Sequence, residues 1–200
     1  MLKLYDNPVS GNAYKVRMML AHLGLQYERI ELSVTDRSDR EERLGGKNPS
    51  LRVPVLEFAD GRCLGESNAI LCYLAEGTDY LPDDAFERAQ VLQWMFFEQY
   101  DHEPNVAVAR FLLGWSDDPA AHADVIATKQ KLGRNAIGAI ERRLATHDFL
   151  VADRYSVADI CLYGYTHMAD QAGIDLAEFP GVSAWVARVA AQPGHVMITD

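Results

Sequence analysis

The N-terminal part of the chain alternates between strand-like and helix-like patterns of apolar residues. Short apolar or alternating runs predict strands at residues 2–5 and 26–32, and apolar positions at helical spacing predict a helix over residues 13–23. The charged segment 36–44 predicts at best a helix on the surface. Because a helix lies between the two strands in sequence, we expect them to be parallel within one sheet.

The next segment has the pattern of an antiparallel hairpin followed by a helix. Residues 53–58 and 62–64 flank the turn dipeptide Asp60-Gly61, and residues 67–74 carry apolar side chains at helical spacing. The predicted order of elements is therefore βαβα followed by ββα. We expect a small mixed sheet covered by helices, which is an α/β domain.

The remainder of the chain has no strand pattern. Apolar residues recur at helical spacing over residues 86–114, 120–145, 156–170 and 182–191, which predicts an all-helical domain. Pro104 lies inside the first of these segments, and we expect it to kink or break that helix.

The boundary between the two patterns is a polar stretch that contains Gly77 and Pro82, which favours a linker over a helix interior. We therefore expect two domains, at residues 1–78 and 85–200, joined by a linker at residues 79–84. No internal repeat and no low-complexity segment interrupts this division.

The third helical segment begins with a capping signal. Ser156 stands at the N-cap position with Asp159 three residues later, and apolar Tyr155 and Ile160 occupy the positions of a hydrophobic staple. We predict that Asp159 has a structural role at this helix start and no chemical one.

Composition and net charge disfavour several kinds of function for this chain. The chain has 200 residues, of which 48% are hydrophobic and 24% charged, as is typical of a folded globular protein. Its net charge of −10 argues against nucleic acid and anionic membranes as partners, since basic surfaces bind both. No signal-peptide pattern or membrane-spanning apolar run occurs, so we expect a soluble, cytoplasmic protein. The three cysteines form no CxxC pair and the six histidines show no ligand spacing, so we expect no metal site.

Two loops could present polar groups to a ligand. The run Ser10-Gly11-Asn12 lies between the first strand and the first helix, where free amides and the helix dipole favour an anion such as a thiolate. Alternatively, Ser10 or Asn12 only caps the helix. Val53-Pro54 opens the third strand, and a cis bond there would offer the Val53 backbone to an extended peptide. The alternative is an ordinary trans proline at a strand start.

A third candidate lies at the start of the helix predicted over residues 67–74. The Glu66 carboxylate could hold an ammonium group, and the Ser67 hydroxyl with the first helix amides could hold a carboxylate. Together they would grip the zwitterionic head group of an amino acid. The alternative is an ordinary N-cap with an acid that the helix dipole favours.

These motifs occur together in an order that resembles a known family. The runs Val53-Pro54-Val55-Leu56 and Glu66-Ser67-Asn68-Ala69-Ile70, followed by the helical domain with its capping signal, resemble cytosolic glutathione transferases of a bacterial type with a Ser/Asn loop. The resemblance covers the whole chain. It implies an α/β thioredoxin-like N-terminal domain, an all-α C-terminal helical bundle, and a homodimeric, cytoplasmic detoxification enzyme that uses glutathione as co-substrate and no metal.

The resemblance also assigns roles to residues of the glutathione site. Glu66 and Ser67 would bind the γ-glutamyl group, and Val53 before a cis Pro54 would bind the cysteinyl backbone. Arg52 lies where members of the family often have a residue that reaches the glycyl carboxylate.

Further roles concern the thiol. Ser10 matches the active-site hydroxyl of the family, and Asn12 falls where some subclasses place a second thiol-contacting residue. No cysteine occupies positions 10–12, so the cysteine-dependent thiol-transferring subclasses are disfavoured; the Ser-Ser-Cys run typical of the maleylacetoacetate isomerases is also missing. Tyr5, at the end of the first strand, is an alternative catalytic hydroxyl.

The resemblance implies a second substrate, which is a small hydrophobic electrophile or a disulfide. We expect its pocket between the domains, with Tyr100, His102 and Arg110 of the helical domain as candidates for its wall. The leading hypothesis is a glutathione S-transferase. The alternatives are a glutathione-dependent disulfide or peroxide reductase and a non-catalytic binding protein of the same fold.

Overall fold

The computed structural model describes residues 1–200 and divides the chain into two compact units. The first unit comprises Met1–Glu76 together with Pro193–Asp200, and the second comprises Gly77–Gln192. The predicted helical range of 85–200 therefore differs from the structure at its end, because the last eight residues pack with the first unit.

The first unit contains a mixed sheet with the strand order β2-β1-β3-β4. Its strands are β1 (Leu2–Asp6), β2 (Tyr27–Glu31), β3 (Val55–Glu57) and β4 (Cys63–Gly65). Strand β1 pairs parallel with β2 and antiparallel with β3, which in turn forms the hairpin with β4. The predicted βαβ unit and hairpin are thus confirmed.

Three helices cover this sheet: α1 (Gly11–His22), α2 (Arg40–Leu44) and α3 (Ser67–Ala75). Successive residues of β1 point to opposite faces, so Leu4 packs with Val16 of α1 and Ile70 of α3, whereas Tyr5 packs with Leu44 of α2. Helix α2 is shorter than the predicted surface helix over 36–44, and its last residue, Leu44, is fully buried.

A buried group of charges links β1, α1 and β2. The Asp6 carboxylate is fully buried, with Arg17 Nη1 at 2.8 Å and Arg29 Nε at 2.6 Å from its Oδ2 atom. Two guanidinium groups around one carboxylate satisfy the requirement that a buried charge be paired. No local pattern in the sequence predicts this cluster.

The C-terminal segment Pro193–Asp200 contacts the same helix. The Tyr14 hydroxyl donates a hydrogen bond of 2.7 Å to the Val196 carbonyl, and Arg17 Nη2 donates one of 2.7 Å to the Ile198 carbonyl. Arg17 therefore connects the buried carboxylate of β1 to this segment, which fixes where the segment lies on the first unit.

The second unit is helical throughout its regular structure. Its helices are α4 (Ala85–Phe97), α5 (Glu103–Trp115), α6 (Ala123–Leu144), α7 (Val157–Thr166) and α8 (Pro180–Ala190). A π-helical segment, Glu98–His102, separates α4 from α5 just before Pro104. The chain is not broken at Pro104 but changes from α-helical to π-helical geometry just before it, where the missing amide hydrogen of proline removes one helical hydrogen bond. None of the helices is long and apolar enough to cross a membrane.

The start of α7 has the predicted capping box. Asp159 Oδ2 accepts hydrogen bonds from the Ser156 amide at 3.0 Å and its hydroxyl at 3.2 Å. Its Oδ1 atom accepts from the Leu150 amide at 3.1 Å and from Trp185 Nε1 at 2.9 Å. Burial raises the pKa of Asp159 to about 6, although these four hydrogen bonds act in the opposite direction. The predicted structural role of Asp159 is confirmed.

Candidate functional site

The loop after β1 places a serine hydroxyl at the start of α1. Ser10 is the N-cap residue, and its Oγ atom accepts a hydrogen bond of 3.3 Å from the Ala13 amide. A hydroxyl that accepts in this way still has its own proton to donate. Because Ser10 is only half-buried, its capping role and a role toward a bound anion are compatible.

Asn12, Lys15 and Ser67 form a hydrogen-bonded group where the starts of α1 and α3 meet. Lys15 Nζ donates to Asn12 Oδ1 at 2.8 Å, and the Ser67 hydroxyl donates to the same oxygen at 3.2 Å. Lys15 Nζ also lies 3.5 Å from Ser67 Oγ. We call these three residues the polar triad. It joins two of the positions that the sequence analysis assigned to glutathione.

Lys15 is the member of the triad that the sequence analysis missed. Its side chain is fully buried, although it lies within the helix predicted from apolar spacing. A weak signal was present, since Lys15 follows Asn12 by three positions and such pairs face each other on a helix. Its contact with Ser67 spans 52 residues of sequence and could be seen only in the folded chain.

The start of α3 does not have the ordinary N-cap that we considered as the alternative. Glu66 occupies the N-cap position, but its side chain makes no capping hydrogen bond. Ser67 is the first helical residue, is almost completely buried, and donates its hydroxyl to Asn12. Glu66 has a positive φ of 63°, a left-handed conformation that is uncommon outside glycine and often found at functional sites.

The Val53–Pro54 peptide is cis, as the sequence analysis considered. Pro54 is buried, Val53 is half-buried and Arg52 is exposed. Asn48 Nδ2 donates a hydrogen bond of 2.9 Å to the Arg52 carbonyl and so holds the residues before this peptide.

Tyr5 is engaged elsewhere in the sheet. Its hydroxyl donates a hydrogen bond of 2.7 Å to Glu57 Oε2, and Lys47 Nζ lies above its ring. Burial and the hydrogen bond to Glu57 raise the pKa of Tyr5. A hydroxyl already committed to a carboxylate is a poor donor for a thiolate, which favours Ser10 over Tyr5.

The three candidates for the wall of a second-substrate pocket have different surroundings. Tyr100 is 84% exposed, whereas His102 is fully buried with its Nε2 atom 3.0 Å from Thr166 Oγ1. Arg110 is also buried, and its Nε atom donates to Gln171 Oε1 at 2.7 Å. His102 and Arg110 thus have structural partners inside the helical unit. Their role toward a second substrate stays a prediction.

None of the three cysteines is a member of the polar triad. Cys161 is buried and Cys63 and Cys72 are half-buried, and burial raises the pKa of the Cys63 thiol. The structure shows no group of three or more His, Cys, Asp or Glu side chains that could hold a metal ion.

Family models match most of the chain. The model described as "Glutathione S-transferase, N-terminal domain" matches residues 1–76, and the one described as "Glutathione S-transferase, C-terminal domain" matches residues 103–193. The chain belongs to the glutathione S-transferase family. Its fold is that of this family, with an α/β thioredoxin-like N-terminal domain and an all-α C-terminal bundle, as predicted.

Individual glutathione S-transferase relatives agree with this assignment. A crystal structure of a glutathione S-transferase from Pseudomonas fluorescens is 45% identical, with a TM-score of 0.96 over 100% of this chain and 99% of that one. A maleylacetoacetate isomerase from Rhizobium meliloti is 34% identical over 94% of this chain and 90% of its own length. A glutathione transferase from Burkholderia graminis, solved with two glutathione molecules bound per subunit, is 26% identical, with a TM-score of 0.83 over 96% and 85% of the two chains.

Proposed function

We propose that this protein is a glutathione S-transferase that activates the glutathione thiol for attack on a small electrophile. The observation that carries the proposal is the polar triad, which brings the predicted binding positions Asn12 and Ser67 together. The Ser67 hydroxyl donates to Asn12 Oδ1, and Lys15 Nζ donates to both side chains. The glutathione bound to the Burkholderia relative supports the same choice of co-substrate.

The site would bind glutathione along its length. Glu66 would pair with the γ-glutamyl ammonium group and Ser67 with the γ-glutamyl carboxylate, both as charge-assisted hydrogen bonds. The Val53 backbone would pair with the cysteinyl backbone. The exposed Arg52 would reach the glycyl carboxylate.

Chemistry then depends on the protonation of the thiol. A free thiol has a pKa near 8.5 and is mostly protonated at neutral pH, so the site must favour the thiolate. Lowering the thiol pKa by two pH units requires about 2.7 kcal/mol. Hydrogen bonds to a charged group contribute roughly 1.5–3 kcal/mol each, so donors from Ser10 and Asn12 and the α1 dipole suffice. The thiol proton leaves to solvent, and the thiolate sulfur forms the new bond as the leaving group departs.

A second candidate function is reduction of a small disulfide. The same thiolate would attack one sulfur and release the other as a thiolate, and a second glutathione would resolve the mixed disulfide to glutathione disulfide. The loop Ser10-Gly11-Asn12 favours this function, because it resembles a bacterial subclass with a Ser or Thr and an Asn two residues on, some of whose members reduce disulfides with glutathione. The name of the Rhizobium relative makes isomerisation of maleylacetoacetate a third activity to assay. Turnover of glutathione with an aryl halide, a small disulfide and maleylacetoacetate distinguishes these activities from a non-catalytic binding protein.

Replacement of Ser67 tests the site itself. We expect Ser67→Ala to weaken glutathione binding by roughly 1–3 kcal/mol in calorimetry, because a hydrogen bond to a charged group is lost. Ser183→Ala is the matched control, since it removes a hydroxyl that donates at 2.7 Å to the Leu176 carbonyl in the helical unit. Equal affinities of the Ser67→Ala variant and the wild type would contradict the proposed site.

We also propose that the protein forms a homodimer. Helix α4 carries large apolar side chains in solvent, of which Phe86 is 72% exposed, Leu92 44% and Phe96 71%. Apolar groups exposed along one helix are typical of an interaction surface. A second copy of the chain would bury them in a two-fold symmetric interface.

A further inference from the structure

We infer that Lys15 is a positioning residue shared by the thiol side and the γ-glutamyl side of the glutathione site, an inference that rests on the proposed function. Its buried ammonium group donates to Asn12, on the proposed thiol side, and lies 3.5 Å from Ser67, on the proposed γ-glutamyl side. Lys15 therefore contacts both residues that would meet the two negative charges at this end of the ligand.

The first step of the argument concerns hydrogen-bond donors. The Ser67 hydroxyl has a single proton, and in the structure Asn12 Oδ1 receives it at 3.2 Å. To bind the γ-glutamyl carboxylate, Ser67 must redirect that proton to the ligand. Lys15 has three donor hydrogens and remains 2.8 Å from Asn12 Oδ1. It thus holds the Asn12 amide in place while Ser67 changes its partner.

The second step concerns charge. An ammonium group removed from water acts more strongly on nearby anions than an exposed one, because the surrounding dielectric constant is lower. A carboxylate bound by Ser67 and a thiolate beside Asn12 are both anions. Lys15 would favour each of them, so one side chain would contribute both to binding of the γ-glutamyl carboxylate and to ionisation of the thiol.

The test compares the pKa of bound glutathione in variants of the full chain, measured as thiolate absorbance against pH. We expect Lys15→Met to raise this pKa by about one pH unit, which is a tenfold loss of thiolate at neutral pH. Glutathione affinity in calorimetry should fall about tenfold as well. Lys15→Arg keeps the charge and should recover most of the wild-type pKa. Lys131→Met removes an exposed lysine of α6 and should change neither quantity.

The outcomes separate this inference from the proposed function. Failure of the wild type to bind glutathione would contradict the function. Binding by the wild type together with an unchanged thiol pKa in Lys15→Met would overturn the role of Lys15 toward the thiol and leave only a structural one. Should Lys15→Met not fold, Lys15→Gln decides the question, because it retains an N–H donor but no charge. A raised thiol pKa in that variant supports the inference, and a wild-type pKa rejects it.

Discussion

Ser10 illustrates how one hydroxyl can serve the fold and the chemistry together. As an acceptor it satisfies the Ala13 amide, one of the amides at the start of α1 that have no partner within the helix. As a donor it can face a bound thiolate. Loss of a cap residue costs about 1 kcal/mol of stability, so any replacement of Ser10 changes stability as well as activity, and the two effects must be measured separately.

We predict that Ser10→Ala raises the pKa of bound glutathione by roughly one pH unit, because about 1.5 kcal/mol of thiolate stabilisation is lost. The rate at neutral pH should fall about tenfold while the affinity for glutathione changes little. Asn12→Ala should act in the same direction, and the double variant should lose more than either. Thiolate absorbance against pH and single-turnover rates measure these effects.

Asp84→Ala is a suitable control for the lost cap, since Asp84 caps α4 and accepts from the Phe86 and Glu87 amides. It should lower the melting temperature as Ser10→Ala does and leave the thiol titration unchanged. An unshifted titration in Ser10→Ala would instead direct attention to Asn12 alone or to Tyr5.

At the scale of single residues, positions with local signals could be predicted from the sequence, and buried residues whose partners are distant in sequence could not. The positions of Ser10 and Asn12 at a helix start follow from neighbouring residues. By contrast, Lys15 and Asp6 are charged residues, which are rarely buried unless paired. Their burial depends on Ser67 and on Arg17 and Arg29 respectively, and no local pattern records those contacts.

At the scale of elements, α7 depends on one buried carboxylate. Asp159 receives hydrogen bonds from the helix start, from the preceding loop and from Trp185 of α8. It therefore fixes α7 relative to two neighbouring segments of the helical unit. Removing its acceptor atoms would leave several buried donors unsatisfied, at a cost of about 1–3 kcal/mol each.

We predict that the contribution of Asp159 to stability falls as pH rises. Its folded-state pKa of about 6 exceeds the value near 3.9 expected in the unfolded chain. Between these values the folded protein binds more protons, so stability decreases with increasing pH. Urea unfolding from pH 4 to pH 7 should show a difference between the wild type and Asp159→Asn that declines by up to about 3 kcal/mol. A difference that is constant or rises with pH would contradict the raised pKa.

The order and type of the main elements could be predicted because their apolar spacing is regular. The change of helical geometry before Pro104 follows equally from a property of one residue type. Helix α2 was harder to predict, because the segment 36–44 is mostly charged and its pattern does not indicate that Leu44 is buried. Arg40 is buried as well and donates to the Ser33 carbonyl, a contact that depends on the path of the intervening loop.

At the scale of the whole molecule, the N-terminal and helical units each have their own packed elements. The change from strand to helix patterns predicted the fold class of the family, an α/β part followed by an all-α part. The return of Pro193–Asp200 to the first unit could not be predicted from the sequence, because its carbonyl groups accept from the side chains of Tyr14 and Arg17, which lie 182 and 181 residues earlier.

We predict that the wild type sediments as a dimer at micromolar concentration and that Phe96→Glu produces a 22.3 kDa monomer. The physical reason is that a charge placed in an apolar interface must be desolvated without a partner. Val125→Glu is the control, since Val125 is an apolar residue that is 47% exposed on a different helix, α6. A wild type that sediments only at 22.3 kDa would contradict the proposed dimer.

The packing of Pro193–Asp200 on α1 has a consequence for synthesis on the ribosome. The strands of the first unit leave the exit tunnel early, and domains commonly fold in that order, from the N-terminus. Here Tyr14 and Arg17 must wait for carbonyl groups that are translated after the entire helical unit. The part of the protein that is made first is therefore the part that is completed last.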